Sequence, residues 1–186
     1  AELTDIVYYE VWSADWKTKL YPRQGAGLAS EEVVGKQAEI TLTLVRDQTY
    51  NFIFWAQNET CGAYDVTDLK HVEVDYSVIA ENGNQDKFDA FYAVKTFTVG
   101  ASLDEEVTLY RPFSQLNIGT SDKVAAKSAG IAVKNTKVVV KKAYAVFNMQ
   151  DGTASKEQTL VYDMAPIAEL ERETLPAADQ SYLSLN

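Results

Sequence analysis

A chain of 186 residues is long enough for one ample domain or two small ones, and a domain of that size buries roughly 70% of its unfolded-chain surface without disulfide staples. Seventeen Lys and Arg against 27 Asp and Glu leave a formal charge of −10, which opposes binding to nucleic acid or to an anionic membrane by counterion release. Cys61 is the only cysteine, which excludes an intramolecular disulfide and a cysteine-based zinc cluster, and no run approaches the ~18 apolar residues of a membrane-spanning helix.

Residues 5–12 carry the β-branched and aromatic enrichment of a first strand. Between Lys17 and Gly35 the composition turns to Pro, Gly and charge, which predicts a long connection containing Arg23. Gln37 to Arg46 then alternates, with Ala38, Ile40, Leu42 and Leu44 on one face and Glu39, Thr41 and Thr43 on the other, as in a half-buried antiparallel strand. Asp47-Gln48 reads as a turn into Tyr50–Gln57, so a hairpin is expected over Gln37–Gln57. In that aromatic segment Phe52, Phe54 and Ala56 share one face, and Ile53, Trp55 and Gln57 share the other. Apolar groups on both sides predict a central strand covered twice.

Leu69 to Tyr76 reads as a strand with Val72, Val74 and Tyr76 inward and His71, Glu73 and Asp75 outward. Glu81 to Asp86 is turn chemistry, and Ala90–Val99 and Glu106–Leu109 are further expected strands. Pro112 removes a ladder donor, which puts Phe113–Ile118 on an edge or beside a bulge. Ser121-Asp122 can cap a short helix through Ala129, with Gly130 as its left-handed stop. Thr136–Asn148 is the longest expected strand, with Lys141-Lys142 a bulge or an emergence into solvent. Thr159–Tyr162 pairs with it after the Asp151-Gly152 turn, and Asp163–Gln180 reads as an irregular excursion. The pattern predicts an all-β fold, a two-sheet antiparallel β-sandwich of about seven to eight strands with one short helix, over a barrel.

Chemistry-bearing patterns are sparse. His71 is the only histidine, so any Ser-His-Asp or Cys-His mechanism passes through it, yet its strand face makes it a solvated side chain beside carboxylates. Cys61 reads as an incidental thiol. Trp55 reads as core, the rival being a carbohydrate-stacking platform. Asn82, Asn84, Asp86 and Asp89 form an oxygen-rich array without the terminal bidentate Glu of a calcium loop, and a plain turn is the expectation. No phosphate-cradling glycine loop, G-x-S-x-G or H-E-x-x-H is present, so we expect no enzyme, no catalytic residue, no metal and no cofactor. Asn58-Glu59-Thr60 matches a glycosylation sequon.

Tyr50-Asn-Phe-Ile-Phe-Trp-Ala-Gln57, Asp68-Leu-Lys70 with Val74-Asp-Tyr76, Asp89-Ala-Phe-Tyr92 and Arg111-Pro-Phe-Ser-Gln-Leu-Asn117 together resemble the fimbrillin-like surface proteins of Bacteroidales bacteria, over about Gln37 to Asn148. The resemblance implies that residues 1–186 are the amino-terminal β-sandwich domain of such a protein, cut before a second sandwich. It also implies an exported protein of the cell surface or outer membrane, anchored by a lipid outside this chain. The partners would be other fimbrial subunits, added by strand exchange, and a host or bacterial surface receptor. The implied role is a structural or adhesive fimbrial subunit, with Arg23 as a processing site in the loop behind the first strand and Arg46 as a rival site nearer the core. The alternative is a carbohydrate-binding module, motivated by Trp12, Trp16, Trp55 and eleven tyrosines, which would show coplanar aromatics exposed on one face.

Overall fold

The computed structural model describes residues 2–82, 86–113, 116–119, 123–132, 137–163 and 181–185. The chain divides into two compact units, Ala1–Pro112 with Tyr144–Lys156, and Phe113–Ala143 with Glu157–Asn186.

The first unit is built on β4 (Thr49–Gln57), every residue of which after Thr49 is buried. It pairs antiparallel with β1 (Ile6–Ser13) on one edge and with β7 (Phe91–Thr98) on the other. With one edge of β1 taken by β4 over its whole length, the other is shared by two short strands, β2 (Lys19–Tyr21) and β3 (Ala29–Glu32). The segment expected as a bare connection therefore contributes two strands, too short to show periodicity of their own. Leu20 is the extra residue of a register shift between Val11↔Tyr21 and Trp12↔Lys19, a bulge at the sheet edge.

Both faces of this five-stranded sheet are covered, as the aromatic segment predicts. On one face Val7, Tyr9, Val11, Tyr50, Phe52, Phe54, Ala56 and Ala93 form a buried cluster. On the other, Trp55 is fully buried and meets Tyr64 in β5 (Tyr64–Asp65) edge to face, ring centroids 5.3 Å apart, and Tyr92 meets Phe147 with centroids 4.9 Å apart. Those partners belong to a second antiparallel sheet, β10-β9-β6-β5, in which β6 (His71–Val74) pairs with the end of β9 (Lys137–Asn148), and β10 is Thr153–Asp163. Two face-packed antiparallel sheets make this an all-β sandwich.

The expected hairpin over Gln37–Gln57 does not form. Both edges of β4 are occupied, so the 37–46 segment cannot pair with it, and Ile40, Leu42 and Leu44 lie instead against the buried face of the sheet. Its alternation is nevertheless expressed, since Ile40, Leu42 and Leu44 pack on the buried cluster while Glu39, Thr41 and Thr43 are exposed. Glu106–Leu109 behaves alike: Val107 and Leu109 pack on the same cluster, and only Tyr110 makes a bridge, to Tyr92. Among the described residues, neither 38–44 nor 101–109 makes a backbone hydrogen bond.

The strand expected to reach Tyr76 stops at Val74, because Asp75 caps a helix, α1 (Tyr76–Asn82), by accepting from Ser77 N at 2.9 Å and Ser77 Oγ at 2.6 Å. The turn expected at Glu81–Asp86 falls partly in this helix and partly outside the described residues.

In the second unit, β8 (Leu116–Gly119) pairs antiparallel with β11 (Ser181–Leu185). The expected helix is α2 (Lys123–Ser128), while its Ser121-Asp122 cap lies outside the described residues. Gly130, at φ 78°, closes it by donating to Lys127 O, with Ile131 N reaching Ala126 O, the paired bonds of a Schellman stop. Lys142 has φ 62°, an irregularity of β9 where the Lys141-Lys142 pair predicts one.

Candidate functional site

Of the residues that the sequence offers for stacking on a sugar, Trp55, Tyr9 and Tyr50 are buried, and Trp12 and Trp16 are half-buried. Trp55 donates its Nε1–H to Gln57 Oε1 at 2.8 Å and has no exposed surface, so the platform reading of this residue is corrected. Lys70 Nζ lies 3.6 Å from the Trp12 ring centroid and donates to Trp16 O at 2.6 Å, which covers one face of Trp12 with a cation. Trp12 Nε1 in turn donates to Glu10 Oε2 at 2.9 Å. Glu10 is a fully buried carboxylate, held also by Lys19 Nζ at 3.0 Å, and together these contacts fasten β2 onto β1.

His71 is exposed on β6 and its Nδ1 is 2.8 Å from Asp68 Oδ2, its one side-chain hydrogen bond among the described residues. Cys61 is buried, and that burial pushes its thiol above the ordinary range, the opposite of what a nucleophile needs. Asp89 is engaged by Arg111 through Nε at 3.1 Å and Nη2 at 2.6 Å. Burial would raise its carboxyl, but the guanidinium is among the groups that hold it below the usual range. Asn84 of the oxygen-rich array lies outside the described residues, and among the described residues no group of His, Cys, Asp and Glu is gathered to hold a metal. The sequon amide of Asn58 donates to Leu3 O at 2.8 Å and to Asp5 Oδ2 at 3.0 Å, so it is tied into the fold.

What the sequence does not single out is an open cleft of about 600 Å³ at one end of the five-stranded sheet. Its walls are the turn after β1, through Ser13 and Ala14, the bulged Leu20 of β2, and the Val45–Tyr50 turn into β4. The turn is clamped to β7 by Asp47 N donating to Val99 O at 2.7 Å and Val99 N donating to Gln48 O at 2.9 Å. Several lining hydroxyls are committed to the scaffold: Ser13 Oγ donates to Asp15 Oδ1 at 2.6 Å, Thr49 meets Thr98 at 2.8 Å, and Tyr50 OH exchanges hydrogen bonds with the backbone of Val45. The Asp47 carboxylate and the Gln48 amide remain for a ligand, beside the apolar Ala14, Leu20 and Val45. Asp47 is 79% exposed and meets only its neighbour Arg46, at 3.7 Å. Carboxylate, amide and short apolar surface side by side suit the alternating hydroxyls and C–H faces of a sugar. Arg23 is exposed in the loop joining β2 to β3.

Such a fold and surface define the class of protein: an antiparallel β-sandwich carrying an open cleft of mixed polar and apolar lining at a strand end. Over residues 6–183 the chain matches a family of unknown function, DUF6562, and it belongs to that family. A solved structure of candidate polysaccharide binding proteins (DUF1812) from Bacteroides thetaiotaomicron is similar, with TM-score 0.55 at 13% sequence identity, across 97% of this chain and 62% of that one. At that identity the likeness is one of fold, and this chain spans less than two thirds of its neighbour. No curated protein matches the chain.

Proposed function

We propose that this chain is a non-catalytic polysaccharide-binding β-sandwich of a bacterial surface protein, exported to the cell surface. The cleft carries the reading, because it presents an exposed carboxylate and an amide on a clamped turn. The shared fold with a candidate polysaccharide binding protein supports it. The test is retardation of the purified chain in gels containing amylopectin, dextran, xylan or mannan. Asp47 sits at φ 61°, a conformation Asn also tolerates, so Asp47→Asn removes the charge while keeping the turn. We expect it to weaken binding by about twofold to tenfold, the range of one hydrogen bond. No retardation of the native chain by any of the four would sink the reading.

One observation favours a second reading, the structural or adhesive fimbrial subunit that the family resemblance implies. Ile40, Leu42, Leu44, Val107 and Leu109 pack on the core from segments that, among the described residues, make no backbone hydrogen bonds over 38–44 and 101–109, which leaves backbone donors and acceptors for a strand from a neighbour. In this reading an arginine-specific protease cuts after Arg23, freeing β1 and β2 to be replaced. Cutting the full-length protein and following its size by light scattering tests it. A cut chain that keeps β1 bound and stays monomeric at high concentration would overturn it.

A further inference from the structure

Tyr21 is the last residue of β2, paired with Val11 and immediately following Leu20, which lines the cleft. Its ring stacks on that of Tyr9, with centroids 5.6 Å apart and planes 12° from parallel. Tyr9 is buried at 3% exposure, whereas Tyr21 is 37% exposed. With the inner face of Tyr21 covered by Tyr9, what it shows to solvent is its outer face and rim. Burial above all raises the pKa of the Tyr9 hydroxyl, with Tyr21 and Glu31 near it adding to the rise, so this hydroxyl stays protonated. Glu31 stands on β3, on the same edge of β1 as β2, and its carboxylate is an acceptor.

We propose that the outer face of Tyr21 is a stacking subsite for a pyranose ring of a neutral polysaccharide, with Glu31 accepting hydrogen bonds from that sugar's hydroxyls. An aromatic face prefers the C–H side of a sugar ring, and a ring already held by a strand pair and a buried partner loses little freedom on binding. The charge of −10 selects against uronic or sulfated chains, which leaves neutral ones. Position next to Leu20 lets one polysaccharide chain run from the cleft onto this ring. Tyr110 offers the contrast: it is 65% exposed, but among the described residues its ring stacks on no other aromatic.

The inference rests on the polysaccharide reading, and the experiment separates the two. Native chain, Tyr21→Ala, Tyr21→Leu, Tyr21→Phe and Tyr110→Ala are compared in gels containing amylopectin, dextran, xylan, mannan or dextran sulfate, with near-ultraviolet circular dichroism to confirm folding. We expect the native chain to be retarded by a neutral polysaccharide, Tyr21→Ala and Tyr21→Leu to bind about tenfold more weakly, and Tyr21→Phe and Tyr110→Ala to bind nearly as the native chain does. Leucine keeps the apolar cover over Tyr9 without a flat face, so its loss of binding is not a loss of fold. Native-like binding by Tyr21→Leu, with the native chain still retarded, removes the subsite and leaves the polysaccharide reading standing. Retardation by dextran sulfate alone overturns the neutral ligand, and no retardation at all removes both.

Discussion

Single side chains show how much position decides. Phe54 and His71 are both on strands, yet Phe54 is buried in the main cluster and His71 is exposed beside Asp68. Phe54→Ala should cost about 3–5 kcal/mol, the range for emptying a packed aromatic site, whereas His71→Ala should change stability by less than about 0.5 kcal/mol. Denaturant titration of the two variants checks both; a loss below about 1 kcal/mol for Phe54→Ala would mean that the site is not closed. Lys19→Met is the more searching change, because it leaves the Glu10 carboxylate buried with Trp12 Nε1 alone. Stripping one partner from a buried pair costs about 3–5 kcal/mol, and the partial exposure of Lys19 puts the expectation at the lower end. A stability within 1 kcal/mol of native, on the scale of exposed pairs, would show that water reaches Glu10.

At the scale of elements, the two-sided apolar pattern of β4 was legible because burial on both faces leaves a mark in a single strand. The 37–46 segment was legible only by half. Its alternation states which side chains face the core, but whether its backbone joins a ladder depends on whether a sheet edge is free, which is decided by β1 and β7. For the same reason β2 and β3 were invisible: three or four residues carry no period, and they exist because β1 has an edge to share. Asp75 was read as the polar face of a strand when it is a helix cap, and Tyr21 could not be told from ten other tyrosines without its stacking partner. Hydrogen exchange followed residue by residue tests the difference between packed and paired. Amides of 39–44 and 102–109 should exchange at nearly unprotected rates, while those of Phe52 to Ala56 should be among the slowest. Slow exchange in 39–44 would mean that a partner strand is present in solution.

For the molecule as a whole, acid is the informative variable. Asp65, Asp75 and Asp151 have carboxyls held below the usual range by the hydroxyl and amide of the residue two ahead. A carboxyl depressed on folding contributes stability above its unfolded value of about 3.9, and that contribution is lost as pH falls through the folded value. Between pH 7 and 5 these groups stay ionised while the repulsion implied by a charge of −10 weakens, so the melting temperature should hold or rise. Below about pH 4 it should fall. A melting temperature that declines steadily from pH 7 would place the governing group elsewhere.

The position of β1 sets a problem of timing. It precedes every other strand described in this chain, yet it is interior, paired with β2 and β3 on one edge and with all of β4 on the other. Val7, Tyr9 and Val11 have no lasting cover until Tyr50 to Gln57 has been synthesised, so the earliest apolar strand is the one that waits. Pairing so far apart in sequence makes folding slow and leaves an interval of exposure to aggregation. A ribosome-bound chain stalled before β4 should therefore bind holdase chaperones through Ile6–Ser13, and one stalled well beyond it should not.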